Sequence, residues 1–188
     1  MNTTVEKLIS ALDTSSDKIA EQIIKKLVKI GKPTVKPLIL SSSDVSRPRV
    51  RKWSLLALGA IGDKSAAPLL IKALKDDRMT VKLHAIRGLS RMRYKPAAKA
   101  IRKLISDPSG GIRVNAITAL VELKDRAPGA ALIRSLGDDL WYVRQHAAIA
   151  CGQLGILTAV PKLKRLIKNE SKKAVINAAQ KSIAMLSK

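Results

Sequence analysis

Trp53, His84, Asn115 and His146 follow one another at intervals of 31 residues, and Trp141 and Tyr142 stand side by side just ahead of the last of them. Indole, imidazole and amide groups in such a series can stack on planar ligands and exchange hydrogen bonds, and imidazoles can ligate metals. Around them the chain carries 36 Lys and Arg against 14 Asp and Glu, a net charge of +22. That excess attracts polyanions, phosphate or carboxylate, while the rings offer faces to bases or sugars. Whether these groups meet a ligand or the core depends on the elements that carry them.

Catalytic chemistry finds little to build on. No Ser-His-Asp set, phosphate-cradling glycine loop, His-Glu pair or Cys/His cluster with metal-ligand spacing occurs in the sequence. Cys151 falls at the position of Leu58, Leu89 and Leu120 in the 31-residue frame, which makes it a core residue. His84 and His146 lie two frames apart, about 20 Å if neighbouring helices pack about 10 Å apart, too far to share a metal. Glu122 is the one carboxylate at an outward position of the central frames. No catalytic residue, metal or cofactor is expected.

The frame itself is a repeat. Segments opening at Val50, Val81, Ile112 and Val143 align without a gap, and the same frame reaches back to Ile19 and forward to Ala174. Six units of 31 residues take up 186 of the 188 positions, so a single domain over 1–188 is expected, with units near 1–31, 32–62, 63–93, 94–124, 125–155 and 156–188. Each unit reads as two helices. "AAPLLIKALKDD" typifies the first and "VRKWSLLALGAIG" the second, both with apolar residues at helical spacing. Ser15, Ser46, Asp77 and Asp139 precede the second helix as candidate caps, and Gly31, Gly62 and Gly155 follow it where a left-handed residue favours glycine. With no Phe and 46% hydrophobic residues, the core must be Leu, Ile, Val and Ala in closely packed helices.

The pattern resembles HEAT repeats, in particular the short HEAT-like repeats of phycobilisome lyases. Its carriers are Pro37, Pro68 and Pro161 in the first helices, Asp76, Asp107 and Asp138 after them, and the pairs Val50-Arg51, Val81-Lys82, Ile112-Arg113 and Val143-Arg144. The resemblance implies an all-α fold, a right-handed α-α superhelix of six helix pairs whose second helices line the concave face. It also implies that Arg51, Lys82, Arg113 and Arg144 bridge to the aspartates between repeats. The end units depart from the pattern: Ala20 and Val175 replace the basic residue, and Thr14, Val45 and Asn169 replace the aspartate.

Placed on that frame, the outward positions of the second helices hold Lys18, Lys25, Arg49, Lys52, Trp53, His84, Arg87, Arg91, Asn115, Trp141, Tyr142, His146 and Lys173. Their alternative role is to cover neighbouring helices or face solvent. Lys72, Lys103, Arg134 and Arg165 form a further ladder on the first helices, read as a solvated face. The expected function is noncatalytic binding of nucleic acid, DNA or RNA, through its phosphates. The alternative is a protein-interaction scaffold for an acidic partner. A remoter one is a HEAT-like alkylpurine DNA glycosylase, whose Trp-rich helix starts "DDLWYVRQHAAI" loosely resembles. A single Cys, no signal-peptide pattern and no long apolar run point to a cytoplasmic, monomeric protein without membrane contact.

Overall fold

The computed structural model describes residues 3–187, which form helices and turns without a strand. Twelve α-helices follow in order: α1 (Thr3–Ser10), α2 (Asp17–Ile30), α3 (Val35–Ser43), α4 (Pro48–Ile61), α5 (Ala67–Ala73), α6 (Met79–Arg91), α7 (Ala98–Arg102), α8 (Gly110–Glu122), α9 (Gly129–Ser135), α10 (Trp141–Gln153), α11 (Val160–Asn169) and α12 (Lys173–Leu186). They form six pairs, each a shorter first helix and a second helix of 13 or 14 residues. Tight 3-10 turns at Lys32–Thr34, Lys64–Ala66, Lys95–Ala97 and Leu157–Ala159 lead into four of the first helices. No helix among the described residues is long and apolar enough to cross a membrane.

The pairs fall into two compact units, one ending at Ala97 and one beginning at Ala98. In the first, α2, α4 and α6 pack in series, and α1, α3 and α5 each pack against their second helix. In the second, α8, α10 and α12 form the series and α7, α9 and α11 back them. Leu27, Leu58 and Leu89 of the first unit, and Leu120, Cys151 and Ser182 of the second, share one position of the period and are all buried. A fully buried Leu stabilises by about 1.5–3 kcal/mol, so such columns carry much of the fold.

Helix ends match the expectation in one respect and correct it in another. Gly31, Gly62 and Gly155 have φ of 76, 79 and 68°, and Arg93 (48°) and Lys124 (56°) share the positive φ at the same position of the period; Gly62 is in the left-handed helical region, whereas Gly31, with ψ of −135°, is in a more extended conformation. The expected caps are different. Ser16 rather than Ser15 caps α2, and Ser46, Asp77 and Asp139 cap nothing. Asp44, Asp76, Asp107 and Asp138 instead accept hydrogen bonds from the backbone N–H two residues on, at 2.9, 3.1, 2.9 and 3.0 Å. A short carboxylate side chain satisfies the turn locally, so the loop is fixed before the helix begins.

Small residues set the helix spacing. A Cβ on Gly88 of α6 would lie 2.8 Å from the Cα of Gly59 on α4, and one on Gly152 of α10 would lie 2.9 Å from the Cα of Ser182 on α12. Backbone cannot yield as a flexible side chain can. Gly88→Val is therefore expected to lower stability by about 1–3 kcal/mol. Lys124→Gly relieves a left-handed side-chain clash and should raise it by about 0.4–1 kcal/mol. Urea unfolding of the two variants, read by far-UV circular dichroism, checks both signs.

Candidate binding surface

Arginines hold the framework on which the surface is built. Arg51 at the start of α4 reaches Asp76, 25 residues on, at 2.7 Å, and Arg113 of α8 reaches Asp138 at the same distance. Arg113 also donates to the carbonyls of Asp107 and Pro108, and Arg144 to those of Asp138 and Asp139. Each of these two guanidiniums thus ties its own preceding loop to the next repeat. Arg144 ends on Glu170 at 2.7 Å, so the glutamate one residue beyond Asn169 supplies the carboxylate that the last repeat lacks at the usual position. The Arg144 hydrogen bond, helped by the N–H groups of Lys172 and Ser171, holds the Glu170 carboxyl down to about 2. Arg78 and then its backbone N–H, with Arg51 behind them, lower Asp76 likewise.

On the first helices Arg102 clasps Asp125 through two bonds of 2.6 and 3.0 Å, a bridge with no counterpart in the sequence reading. The remaining cations there, Lys72, Lys103, Arg134 and Arg165, are exposed.

In the first unit eight candidates lie on or at the second helices α2, α4 and α6. Lys18 and Lys25 on α2 and Arg49 on α4 are exposed, as are Arg87 and Arg91 on α6; Arg91 reaches back to the carbonyl of Ala60 at 3.4 Å. Trp53 is the correction. It is 5% exposed, not outward, and the ammonium of Lys52 covers its ring at 3.7 Å from the centroid. A ring that large folds into the surface beside it and gains more by burial than by standing in water. Lys52 also lies 3.7 Å from Asp17, so its charge is already engaged. His84 is half-buried, its Nδ1 has no hydrogen-bond partner, and burial, with Arg87 and Lys52 nearby, pushes its pKa down to about 4. The imidazole is therefore neutral at physiological pH.

In the second unit Trp141 is 41% exposed and stands edge-on to Tyr142, with centroids 5.9 Å apart and planes at 85°. Tyr142 is half-buried, because its ring end and Leu140 lie over Gly110, where a Cβ would meet both. His146 is tied through Nδ1 to the Tyr142 carbonyl at 2.8 Å, and the amide of Asn115 donates to Gly111 at 2.8 Å. Lys173 is exposed at the start of α12. Beside them runs a cleft between α10 and α12, lined by Gln145, Ile149, Gln153, Asn177, Lys181 and Met185 among others. Asn177, Ile149 and Gln153 of this cleft continue the outward columns of His146, Arg87 and Arg91 in the 31-residue frame, and Lys181 stands where the central helices carry Ala57, Gly88, Ala119 and Ala150.

Cys151 is buried and its thiol is pushed up to about 12, so it is not ionised at neutral pH. Among the described residues no three His, Cys, Asp or Glu stand together as metal ligands. A chain of stacked helix pairs, bolted by arginine bridges and presenting cations on its second helices, is a helical-repeat scaffold suited to binding other molecules. It belongs to the HEAT repeats family, whose sequence model matches residues 5–81, 70–139 and 103–184. Among solved structures, the complex of CpcE and CpcF of phycocyanin lyase from Nostoc is similar at a TM-score of 0.72 and 23% identity, over 79% of this chain and 98% of that one. A designed armadillo repeat protein bound to the peptide (KR)4 is similar at 0.70 and 17%, over 96% and 98%. YibA of Escherichia coli is similar at 0.70 and 20%, over 100% of this chain and 71% of that one. No curated protein matches the chain.

The depressed Glu170 carboxyl makes the Arg144 bridge pH-dependent. Because its folded pKa lies below the ordinary 4.5, the bridge contributes fully above about pH 4.5 and is lost as pH falls toward 2. Arg144→Met should cost about 1–3 kcal/mol at pH 7. The gap between wild type and variant should close between pH 4.5 and 2, as read from urea midpoints across that range.

Proposed function

We propose that the protein is a noncatalytic docking scaffold whose basic second-helix faces bind an acidic segment of a partner protein. The observation that carries this reading is the unequal use of charge. Asp76, Asp125, Asp138 and Glu170 are consumed by guanidiniums within the repeats. Lys18, Lys25, Arg49 and Lys173 are exposed and form no ion pair with a described residue, although Glu21 lies one turn from both Lys18 and Lys25. Each unit thereby offers outward positive charge, which raises encounter rates with acidic surfaces and sets sign selectivity. A designed armadillo protein of similar fold is bound to the basic peptide (KR)4. This chain carries a net charge of +22, which suits an acidic ligand.

Nucleic acid is the second reading, favoured by the net charge of +22 and by the exposed ring of Trp141. Its weakness is the loss of Trp53 as a stacking platform, since sequence-tolerant binding of single strands rests on successive exposed rings.

Nuclease-treated protein titrated with an acidic peptide and with DNA and RNA oligonucleotides of equal charge, over a range of salt, separates the two. The expected result is peptide binding that weakens about tenfold or more in the charge-reversed variant K18E/K25E/R49E/K173E. Tighter binding of the oligonucleotide, weakened by Trp141→Ala, would move the assignment to nucleic acid. Binding of neither at low salt would remove the electrostatic reading altogether.

A further inference from the structure

We infer that the seam between α10 and α12 is a docking cleft for an extended peptide that carries a carboxylate next to an apolar side chain. This rests on the acidic-partner reading and places its selective contacts in the second unit. The cleft measures about 350 Å³, within the range of about 300–1,000 Å³ usual for ligand sites.

A break in the repeat explains why it exists. Ala57 and Gly88 in one unit, and Ala119 and Ala150 in the other, occupy one position of the period and are buried. In the two end helices that position is a lysine and exposed: Lys26 in α2, which has no second helix before it, and Lys181 in α12, which packs against α10. An ammonium left unpaired in a helix seam costs far more than a solvated one, so the side chain stays at the surface. Ile149 is left only partly covered and Met185 is 52% exposed.

The polar lining is unspent. The side-chain amides of Gln145, Gln153 and Asn177 make no hydrogen bond among the described residues, whereas Asn115 donates to Gly111, His146 bonds to the Tyr142 carbonyl and Ser182 donates to the Ala148 carbonyl at 2.7 Å. Three free amides present donors and acceptors together, which matches the alternating N–H and C=O groups of an extended backbone. The lining on α12 runs from Ala174 to Met185. At 1.5 Å per residue that is about 16 Å, the length of about five extended residues. Lys181 is the one cation of the lining, which contains no carboxylate and no aromatic ring. The charge selects an acid, Ile149 and Met185 select an apolar neighbour, and the missing rings disfavour a stacked base.

Fluorescence anisotropy with the full chain tests this, using a short labelled peptide of alternating Leu and Glu and a control in which Ser replaces Leu. The Leu peptide should bind about fivefold tighter or better. The variant Q153A/N177A should weaken it about tenfold, and Lys181→Gln about fivefold. Lys25→Gln with Arg49→Gln should change it less than about twofold, and far-UV circular dichroism confirms that each variant folds. Equal binding of both peptides, insensitive to Q153A/N177A, would overturn the cleft and leave charge-driven docking standing. Failure of both peptides to bind wild type would overturn the cleft and the acidic-partner reading together.

Discussion

A guanidinium that holds both the loop before its own helix and the carboxylate of the following repeat is the contact on which the helix pairs depend. A lone helix pair cannot bury its apolar stripe, so each pair is stable only when its neighbours are held in register. Arg113 and Arg144 supply that register directionally: two carbonyls fix one edge of the planar group and a carboxylate the other. The Asx turn at Asp138 then sets the loop that Arg144 reads, so one aspartate serves the turn and the bridge. Such partly enclosed, charge-assisted bonds are individually worth only a few kcal/mol. Repeated along a chain, they decide how helices meet.

The same economy of acids shapes the surface. A basic protein that ties four of its 14 carboxylates into the framework leaves fewer acids at the surface to compete for its excess of cations. Salt screens such exposed charges over about 10 Å at 0.1 M. The framework bridges are largely enclosed and keep their strength. Fold and ligand attraction therefore respond differently to ionic strength.

Much of this was legible because a repeat reads each position several times over. The core columns and the glycine turns follow from residue type at constant spacing, and the bridge from Arg51, Arg113 and Arg144 is what the resemblance to HEAT repeats implies. The misreadings lie where a residue's size or a one-residue shift matters more than its position. Trp53 sits at an outward position, yet its bulk folds down and is capped by Lys52. Asn169 marks a missing aspartate, yet Glu170, with one more methylene, reaches the same guanidinium. Ser46, Asp77 and Asp139 look like caps, but the carboxylate just upstream already satisfies the turn. The lining of the α10–α12 cleft stands at outward positions of the frame, at Asn177, Ile149 and Gln153, but that these meet in a cleft depends on how closely those helices approach.

The cysteine set into a leucine column has a further consequence. Cys151 is the chain's single thiol, fully enclosed and protonated at neutral pH. Reagents that modify thiolates reach it only when α10 parts from its neighbours. Its rate of alkylation therefore clocks the opening of the second unit alone, without an introduced label, and a ligand seated against α10 would slow that clock.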